Sequence, residues 1–459
     1  MSKLDQLATL GQSIWFDYIR RSFTESGELQ KLIDNGVRGV TSNPAIFEKA
    51  IAGSADYDDQ LQTLAVESRP VQDIYEALVL QDIAKAADLF RPVYDKTDGL
   101  DGYVSLEVRP ALAHDTEDTI KEGRRLYKTL NRPNVMIKVP ATSAGLPAIT
   151  QLISEGININ VTLMFSLEHY VQVAEAYLAG LEQLAARGGN LDVASVASFF
   201  ISRVDSTVDD ELEKAGVLEL QGKIAIANAK IVYQRFQQIF SGDRWDKLAQ
   251  AGAQVQRVLW ASTGTKNPAY PDTLYMDALI GKDTVNTVPP ATLTAFMDHG
   301  AVASTLPLDA DSAQQHIAQL QELGIDLDAI TEKLQKQGLD AFSESFENLI
   351  YAVSEKIKKI KIGENTFSMS LNGYQTTVET ALEHLKKDQI VSRIWQHDHT
   401  VWKPETDEIS TRLAWLHSPE IMSEAVESIN RFVEEVKTDG FTHALLLGMG
   451  GSSLAPEVF

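Results

Sequence analysis

Short apolar runs alternate with helical patterns between Ser13 and about Asn286, and this alternation constrains the fold more than any other feature of the sequence. Runs rich in β-branched residues predict buried strands, and apolar residues at helical spacing predict helices between them. Strands that alternate with helices are typical of a parallel sheet. The eight predicted strands are Ser13–Asp17, Val37–Thr41, Gly102–Val108, Asn134–Val139, Asn158–Leu163, Val193–Phe199, Gln256–Ser262 and Thr284–Asn286.

Eight strands with intervening helices favour a closed (β/α)8 TIM barrel, which typically takes ~250 residues. An open doubly wound sheet is the alternative, but no early strand opens into a glycine-rich dinucleotide-binding loop. The predicted barrel helices are Tyr18–Asn35, Val71–Tyr94, Thr116–Asn131, Leu146–Ser154, Leu167–Ala186 and Val208–Phe240. Extra C-terminal helices are predicted to cap the barrel, at Asp311–Leu323, Leu327–Lys336 and Leu339–Ile360.

A charged stretch that ends near Asn365 predicts a domain boundary, with a barrel domain over 1–365 and a second segment over 366–459. The second segment ends with a predicted strand, Ala444–Leu447, and a loop rich in glycine and serine. Because a parallel sheet cannot close with one strand, we expect an incomplete α/β segment. Its predicted helices are Thr376–Lys387 and Ser418–Lys437.

Composition excludes several classes of function. The formal net charge is −23, which argues against nucleic-acid binding through a general basic surface. The chain has no cysteine, so thiolate nucleophiles, disulfides and Cys-ligated metals are excluded. His397 and His399 resemble a metal pair, but a solvated loop is the better interpretation, and we expect no metal and no cofactor. No signal peptide and no membrane span are visible, so we expect a cytoplasmic protein that does not bind membranes.

The apolar run Val135–Pro140 contains a lysine, Lys138. Lysine is almost never fully buried unless it is paired, because its ammonium loses hydration. Burial favours the neutral amine, which can attack a carbonyl carbon and form a Schiff base. The alternative is a lysine whose head group reaches the end of the strand and is solvated there.

Polar residues in the predicted strands share one face and lie towards the C-terminal ends. Side chains two residues apart point the same way in a strand, so Ser105 shares a face with Glu107. Asn160 and Thr162 share a face for the same reason. The active sites of TIM barrels are built at the C-terminal ends of the strands. We therefore expect Asp17, Glu107, Lys138, Asn160 and Thr162 to converge there.

Three strings resemble the transaldolase family, a group of class I aldolase-type transferases: Gly39–Pro44, Val135–Thr142 and Gly156–Leu163. They follow the family's order and spacing, and the resemblance extends from about Leu4 to about Ile362. It implies transfer of a dihydroxyacetone unit in the pentose phosphate pathway. The donor would be sedoheptulose 7-phosphate or fructose 6-phosphate, and the acceptor glyceraldehyde 3-phosphate or erythrose 4-phosphate.

The resemblance also implies roles for individual residues. Lys138 matches the Schiff-base lysine, and Asp17 matches the acid/base that takes the proton of the C4 hydroxyl. Glu107 and Thr162 match the pair that holds the catalytic water. Residues that match positions binding the dihydroxyacetone unit are Asn43, Asn160 and Ser198, and we add Thr41, which shares a face with Asn43.

The phosphate site departs from the family pattern. Arg203 resembles the family's phosphate ligand after the sixth strand, but a second arginine, expected after the seventh strand, is absent. Ser262 and Lys266 are the predicted substitutes, since lysine can bind phosphate as a point charge. A solvated loop lysine is the alternative for Lys266.

The second segment resembles the N-terminal part of glucose-6-phosphate isomerase, as in fusions of transaldolase with that isomerase. The resemblance rests on the run Leu445–Leu454, which is similar to the first sugar-phosphate-binding motif of the isomerase. The residues that open the sugar ring and shuttle the proton would lie downstream. We therefore expect a truncated fragment without isomerase activity.

Two other functions remain open at this point. One is an aldolase of the fructose 6-phosphate type, which releases free dihydroxyacetone. The other is an inactive protein that binds sugar phosphates, although Asp17, Glu107 and Lys138 are all present. The sequence leaves a homodimer open.

Overall fold

The computed structural model describes residues 2–66, 69–362, 372–406, 408–410 and 412–441. The chain divides into two compact units, Met1–Thr366 and Phe367–Phe459. The predicted strand Ala444–Leu447 and the loop after it lie outside the described residues.

The first unit contains a closed barrel of eight parallel strands in chain order, which confirms the predicted fold. The strands are β1 (Gln12–Phe16), β2 (Gly39–Val40), β3 (Tyr103–Glu107), β4 (Val135–Pro140), β5 (Ile159–Met164), β6 (Ser195–Phe200), β7 (Arg257–Ala261) and β8 (Thr284–Val288). The barrel closes where β1 pairs with β8, with Gln12 opposite Thr284 and Phe16 opposite Val288. Helices cover the outside of the barrel and side chains fill its interior, which explains the near-continuous apolar runs.

Helices surround the strands in the first unit. They are α1 (Lys3–Thr9), α2 (Arg21–Glu25), α3 (Glu28–Asp34), α4 (Pro44–Ala52), α5 (Asp58–Val66), α6 (Val71–Lys96), α7 (Thr116–Leu130), α8 (Gly145–Ser154), α9 (Leu167–Ala186), α10 (Ser202–Ala215), α11 (Ile224–Ile239), α12 (Asp243–Gln250), α13 (Leu274–Ala278), α14 (Pro290–His299), α15 (Ala310–Glu322) and α16 (Leu327–Ile362). A 3-10 turn, η1, spans Pro110–Leu112.

Two predicted helices are each divided in the structure. The prediction Tyr18–Asn35 covers α2 and α3, and Gly27, with φ of 82°, lies between them. The prediction Val208–Phe240 covers part of α10 and all of α11, and Gly216, with φ of 71°, ends α10. Both glycines adopt a left-handed conformation that interrupts a helix at little cost.

The prediction of two helices after Leu327 was wrong, because α16 is a single helix of 36 residues. Gly338 lies within it, where a Cβ atom would approach Leu163 Cδ2 to 2.8 Å. The Nε2 of Gln335 donates hydrogen bonds of 3.0 Å to the carbonyl oxygens of Ala141 and Leu163. These carbonyls lie at the C-terminal ends of β4 and β5, so α16 crosses the C-terminal mouth of the barrel.

A buried polar cluster closes the opposite end of the barrel. Arg257 Nη2 lies 2.9 Å from Asp101 Oδ1, and both side chains are under a tenth exposed. The Ser13 hydroxyl and the Trp15 indole donate to the same carboxylate, at 2.6 and 3.2 Å. These groups therefore satisfy one another's hydrogen-bonding capacity and hold the N-terminal end of the barrel together.

The described part of the second unit is helical. Its α-helices are α17 (Gln375–Lys387), α18 (Ile390–Trp395) and α19 (Ser418–Thr438), and its 3-10 turns are η2 (Asn372–Tyr374), η3 (His399–Val401) and η4 (Leu413–His417). The positions of α17 and α19 agree with the predicted helices. Several large apolar side chains of this unit are exposed, among them Trp395, Trp402, Trp415, Ile421, Val426 and Phe432. No described helix of the chain is long and apolar enough to span a membrane.

Candidate active site

A cavity of about 640 Å³ opens at the C-terminal mouth of the barrel. We call it the mouth cavity. Nine of the eleven predicted site residues line it, contributed by six strands or the loops that follow them: Asp17, Thr41, Asn43, Lys138, Thr162, Ser198, Arg203, Ser262 and Lys266. Glu107 and Asn160 lie immediately beside it in strand register with Lys138. The structure therefore brings all the predicted residues to one end of the barrel.

Lys138 lies on β4, between Glu107 on β3 and Asn160 on β5. Its Nζ is 3.3 Å from Glu107 Oε2, and both side chains are 7% exposed. The ammonium also donates a hydrogen bond of 3.4 Å to the carbonyl oxygen of Ser42. The ring of Phe342, from α16, lies 5.5 Å from Nζ. The head group is therefore held at the cavity wall and is not extended into solvent.

Glu107 and Thr162 each contribute a buried polar atom, Oε2 and Oγ1, that makes no hydrogen bond among the described residues. Burial raises the pKa of Glu107, and the charge and hydrogen-bonding capacity of Lys138 oppose that rise. Glu107 Oε2 has only its ionic contact with Lys138, and a buried hydroxyl without a partner costs free energy, so these two atoms can bind a water molecule or a substrate hydroxyl.

Asp17 follows β1 and accepts a hydrogen bond of 2.7 Å from the Thr41 hydroxyl. That hydroxyl is 2.5 Å from the Thr287 hydroxyl at the end of β8. Burial raises the pKa of Asp17, while Thr41 and the positive charges of Lys138 and Lys266 oppose the rise. A carboxylate with a raised pKa is a better base than an ordinary one, and its position is set by a neighbouring strand.

Asn160 connects three strands beneath the mouth cavity. Its Nδ2 donates to Ser105 Oγ at 3.0 Å, and its Oδ1 accepts from Ser198 Oγ at 2.7 Å. Asn160 is completely buried, so its side chain orients Ser198, which does line the cavity. Asn43 lines the cavity as well, and its Oδ1 caps α4 by accepting from the Ile46 amide at 3.0 Å.

Three cations and one carboxylate give the mouth cavity a positive balance. Lys138, Arg203 and Lys266 oppose Asp17 among the lining residues. Burial lowers the pKa of Arg203, which lies in the first turn of α10. Ser262 adopts φ of 56°, and its hydroxyl lies 2.9 Å from that of Ser202. The cavity can attract an anion in spite of the acidic chain.

The sequence prediction missed six lining residues: Phe200, Ala261, Gly264, Thr287, Pro289 and Phe342. Thr287 was missed because the eighth strand was predicted to end at Asn286, whereas β8 continues to Val288. Phe342 gave no signal, because its contact with the cavity depends on the path of α16. The described residues contain no group of three or more His, Cys, Asp and Glu side chains that could hold a metal ion.

The barrel and its lysine-centred mouth define an enzyme of the TIM-barrel class. Residues 14–353 match the transaldolase/fructose-6-phosphate aldolase family, and the chain belongs to this family. The transaldolase of Trichodesmium erythraeum is 49% identical over 370 residues, which cover 77% of this chain and 97% of that protein. The transaldolase of Saccharopolyspora erythraea is 49% identical over 364 residues, 78% of this chain and 99% of its own. Transaldolase 2 of Nostoc punctiforme is 47% identical over 369 residues, with 77% and 97% covered.

Proposed function

We propose that this chain transfers a dihydroxyacetone unit from a ketose phosphate to an aldose phosphate through a Schiff base on Lys138. The observation that carries the proposal is the buried contact of Lys138 with Glu107, at the wall of a cavity that also holds Asp17. The resemblance implies the same donors and acceptors as above and the pentose phosphate pathway, and a cytoplasmic location stays the expectation from the sequence. Membership of the family supports a transferase.

The first stage is formation of the imine. Lys138 Nζ attacks the C2 carbonyl carbon of the ketose, and the C2 oxygen gains a proton. The nitrogen lone pair then forms the C=N bond, while the C2–O bond breaks and water leaves. The raised pKa of Glu107 supports a proton-transfer role in this stage, since the protonated carboxyl can supply the proton that the departing oxygen needs. Thr162, with its unused hydroxyl, would hold the water.

The second stage is cleavage of the C3–C4 bond. Asp17 takes the proton of the C4 hydroxyl, and the C4–O electrons form the aldehyde of the departing aldose phosphate. The electrons of the C3–C4 bond pass into the iminium and leave an enamine on Lys138. Addition of C3 of this enamine to the acceptor aldehyde reverses these steps, and hydrolysis of the imine releases the new ketose.

Binding of the substrate follows from the remaining lining residues. Thr41, Asn43 and Ser198 would hydrogen-bond the dihydroxyacetone unit, with Asn160 as a further ligand or as the group that orients Ser198. The phosphate would meet Arg203, Lys266 and Ser262, which supply charge and a hydroxyl. An arginine and a lysine do not bind phosphate alike, because only the arginine offers a planar fork of donors.

Borohydride reduction in the presence of fructose 6-phosphate tests the proposal. Peptide mapping should find the reduced adduct on Lys138, and the Lys138→Ala variant should remain unlabelled and inactive but folded. Lys121→Ala, which removes an exposed lysine paired with Asp118, is the matched control and should label normally. Label on another residue would overturn the mechanism. Release of free dihydroxyacetone without an acceptor, at the rate of transfer, would instead identify an aldolase.

We also propose that the second unit belongs to a glucose-6-phosphate isomerase type of domain. The family match ends at residue 353, before this unit begins, and the unit exposes apolar side chains such as Phe432. Isomerase activity is expected only where the remainder of such a domain is present. Conversion of glucose 6-phosphate to fructose 6-phosphate by the 459-residue chain would contradict this proposal. A homodimer stays a prediction, which sedimentation can test.

A further inference from the structure

A second cavity, narrower than the mouth cavity, lies on the side of the barrel behind Glu107. We call it the lateral cavity. Its walls come from β3, α4, α6, α7 and α16, and include Tyr75, Leu80, Glu107, Arg109 and Phe346. The rings of Tyr75 and Phe346 meet edge to face with centroids 5.5 Å apart. The lateral cavity thus approaches the candidate active site by a different path from the mouth cavity.

Glu107 lines the lateral cavity and is not among the residues that line the mouth cavity. Its side chain is more than nine-tenths buried, and its Oε2 makes an ionic contact with Lys138 but no hydrogen bond among the described residues. The carboxylate therefore stands between the lysine and the lateral cavity. Burial and the nearby Glu107 and Glu76 carboxylates raise the pKa of Tyr75, which places the tyrosine in the same electrostatic environment.

The two cavities differ in the charged side chains that line them. The lateral cavity is lined by Glu76, Glu107, Glu122 and Arg109, and each carboxylate has a cation beside it: Arg125 for Glu76 and Glu122, and Lys138 for Glu107. The mouth cavity is lined by Lys138, Arg203 and Lys266 against Asp17. A sugar phosphate is attracted to the mouth cavity, where cations are in excess, whereas a neutral water molecule can occupy either cavity.

The lateral cavity has solvent at its outer rim and polar partners along its length. Arg109 and Glu76 line it with side chains that are 47% and 32% exposed. Arg109 is 3.4 Å from Glu122, whose side chain is buried further in. A water molecule needs two to four polar partners to be stable inside a protein. Glu122 and Glu107 supply such partners between the rim and the lysine, and Asn43 lines both cavities.

From these observations we infer that the lateral cavity is the path by which water and protons reach and leave Glu107, separate from the path of the sugar phosphates. The inference rests on the proposed function. Imine formation expels one water molecule: the C2–O bond breaks, the oxygen takes a proton from Glu107, and the nitrogen lone pair forms the C=N bond. Hydrolysis of the imine takes up one water molecule and gives one proton back to Glu107. With the sugar bound in the mouth cavity, Glu107 keeps contact with solvent through the lateral one.

Filling the lateral cavity tests this inference. We choose Leu80→Phe on α6 and Phe346→Trp on α16, which enlarge two lining side chains and leave Glu107 in place. Each variant is incubated with fructose 6-phosphate in oxygen-18 water without an acceptor, and isotope uptake at C2 is followed by mass spectrometry. Uptake should fall about tenfold, which corresponds to ~1.4 kcal/mol in the barrier. The KM for fructose 6-phosphate should stay the same, because the mouth cavity is untouched.

The matched control is Ile226→Phe, which fills a separate cavity near Lys230 that does not include Glu107. Its isotope uptake should equal that of the unmodified enzyme, and thermal unfolding should show that all three variants are folded. Unchanged uptake in either folded lateral variant, or an equal fall in Ile226→Phe, would overturn the inference. If borohydride fails to label Lys138 in the unmodified enzyme, the proposed function itself is wrong, and isotope uptake will be absent before any cavity is filled.

Discussion

Lys138 Nζ lies 3.3 Å from Glu107 Oε2, and both side chains are only 7% exposed. The two residues belong to neighbouring strands and are direct register partners. Because the register pairs Glu107, the last residue of β3, with Lys138, the fourth residue of β4, the two side chains lie at the same wall of the barrel. This contact gives the lysine its local charge balance and gives the carboxylate its position.

Glu107→Gln should slow imine formation by about 10²-fold or more, the usual size of a lost acid/base contribution. The amide keeps the shape of the carboxyl but cannot donate a proton at neutral pH. Stopped-flow mixing followed by borohydride trapping measures the step directly. The variant should unfold close to the temperature of the parent, and an unaltered trapping rate would show that another group manages the water.

Lys266→Met should raise the KM for sugar phosphates about tenfold, equivalent to ~1.4 kcal/mol of binding. The positive charge of Lys266 also lowers the pKa of Asp17, so its removal should move the acidic limb of kcat/KM to higher pH. Lys223→Met, an exposed lysine outside the mouth cavity, is the control. If both variants behave like the parent, Lys266 is a solvated loop lysine.

Asp205→Asn should change how stability depends on pH. Asp205 is buried on α10, accepts from the Ala225 amide at 2.7 Å and from Tyr275 at 2.9 Å, and burial raises its pKa to about 7. Between its ordinary value of 3.8 and 7 the folded state binds more protons at this site than the unfolded state. The contribution of Asp205 to stability therefore falls as pH rises through this window, by up to about 1.4 kcal/mol per unit.

Asparagine does not titrate, so Asp205→Asn should gain stability relative to the parent between pH 5 and about 7. Urea unfolding at several pH values measures the difference. Parallel curves for the two proteins would mean that Asp205 stays ionised throughout.

Gln335→Leu should lower the free energy of unfolding by about 1–3 kcal/mol, because two carbonyl oxygens lose their donor. Those carbonyls belong to Ala141 and Leu163, at the ends of β4 and β5. We expect looser α16 packing to weaken turnover also, since Phe342 is on the same helix and faces Lys138. Gln337→Leu, an exposed neighbour on α16, should leave both quantities unchanged. If Gln335→Leu and Gln337→Leu are equally stable, Gln335 does not stabilise the fold through these hydrogen bonds.

Local sequence was sufficient for the barrel strands and failed mainly at glycines. Gly27 and Gly216 divide predicted helices, because a left-handed glycine stops a helix that side-chain periodicity would continue. Gly338 caused the opposite error: two helices were predicted on either side of it, but α16 continues through it. A glycine inside a helix can also allow close packing, here against Leu163. Periodicity alone cannot distinguish these cases.

By itself, the sequence determined the closed barrel and the face on which Asp17, Glu107, Lys138 and Thr162 lie, because strand parity is a local property. Only the tertiary structure decided what surrounds that face. The path of α16 across the mouth brings Phe342 to Lys138 and Phe346 to Tyr75, over long separations in the chain. The same packing divides the space around Glu107 into a cation-rich mouth cavity and a lateral cavity. Such a division depends on which distant side chains meet, and no local pattern encodes it.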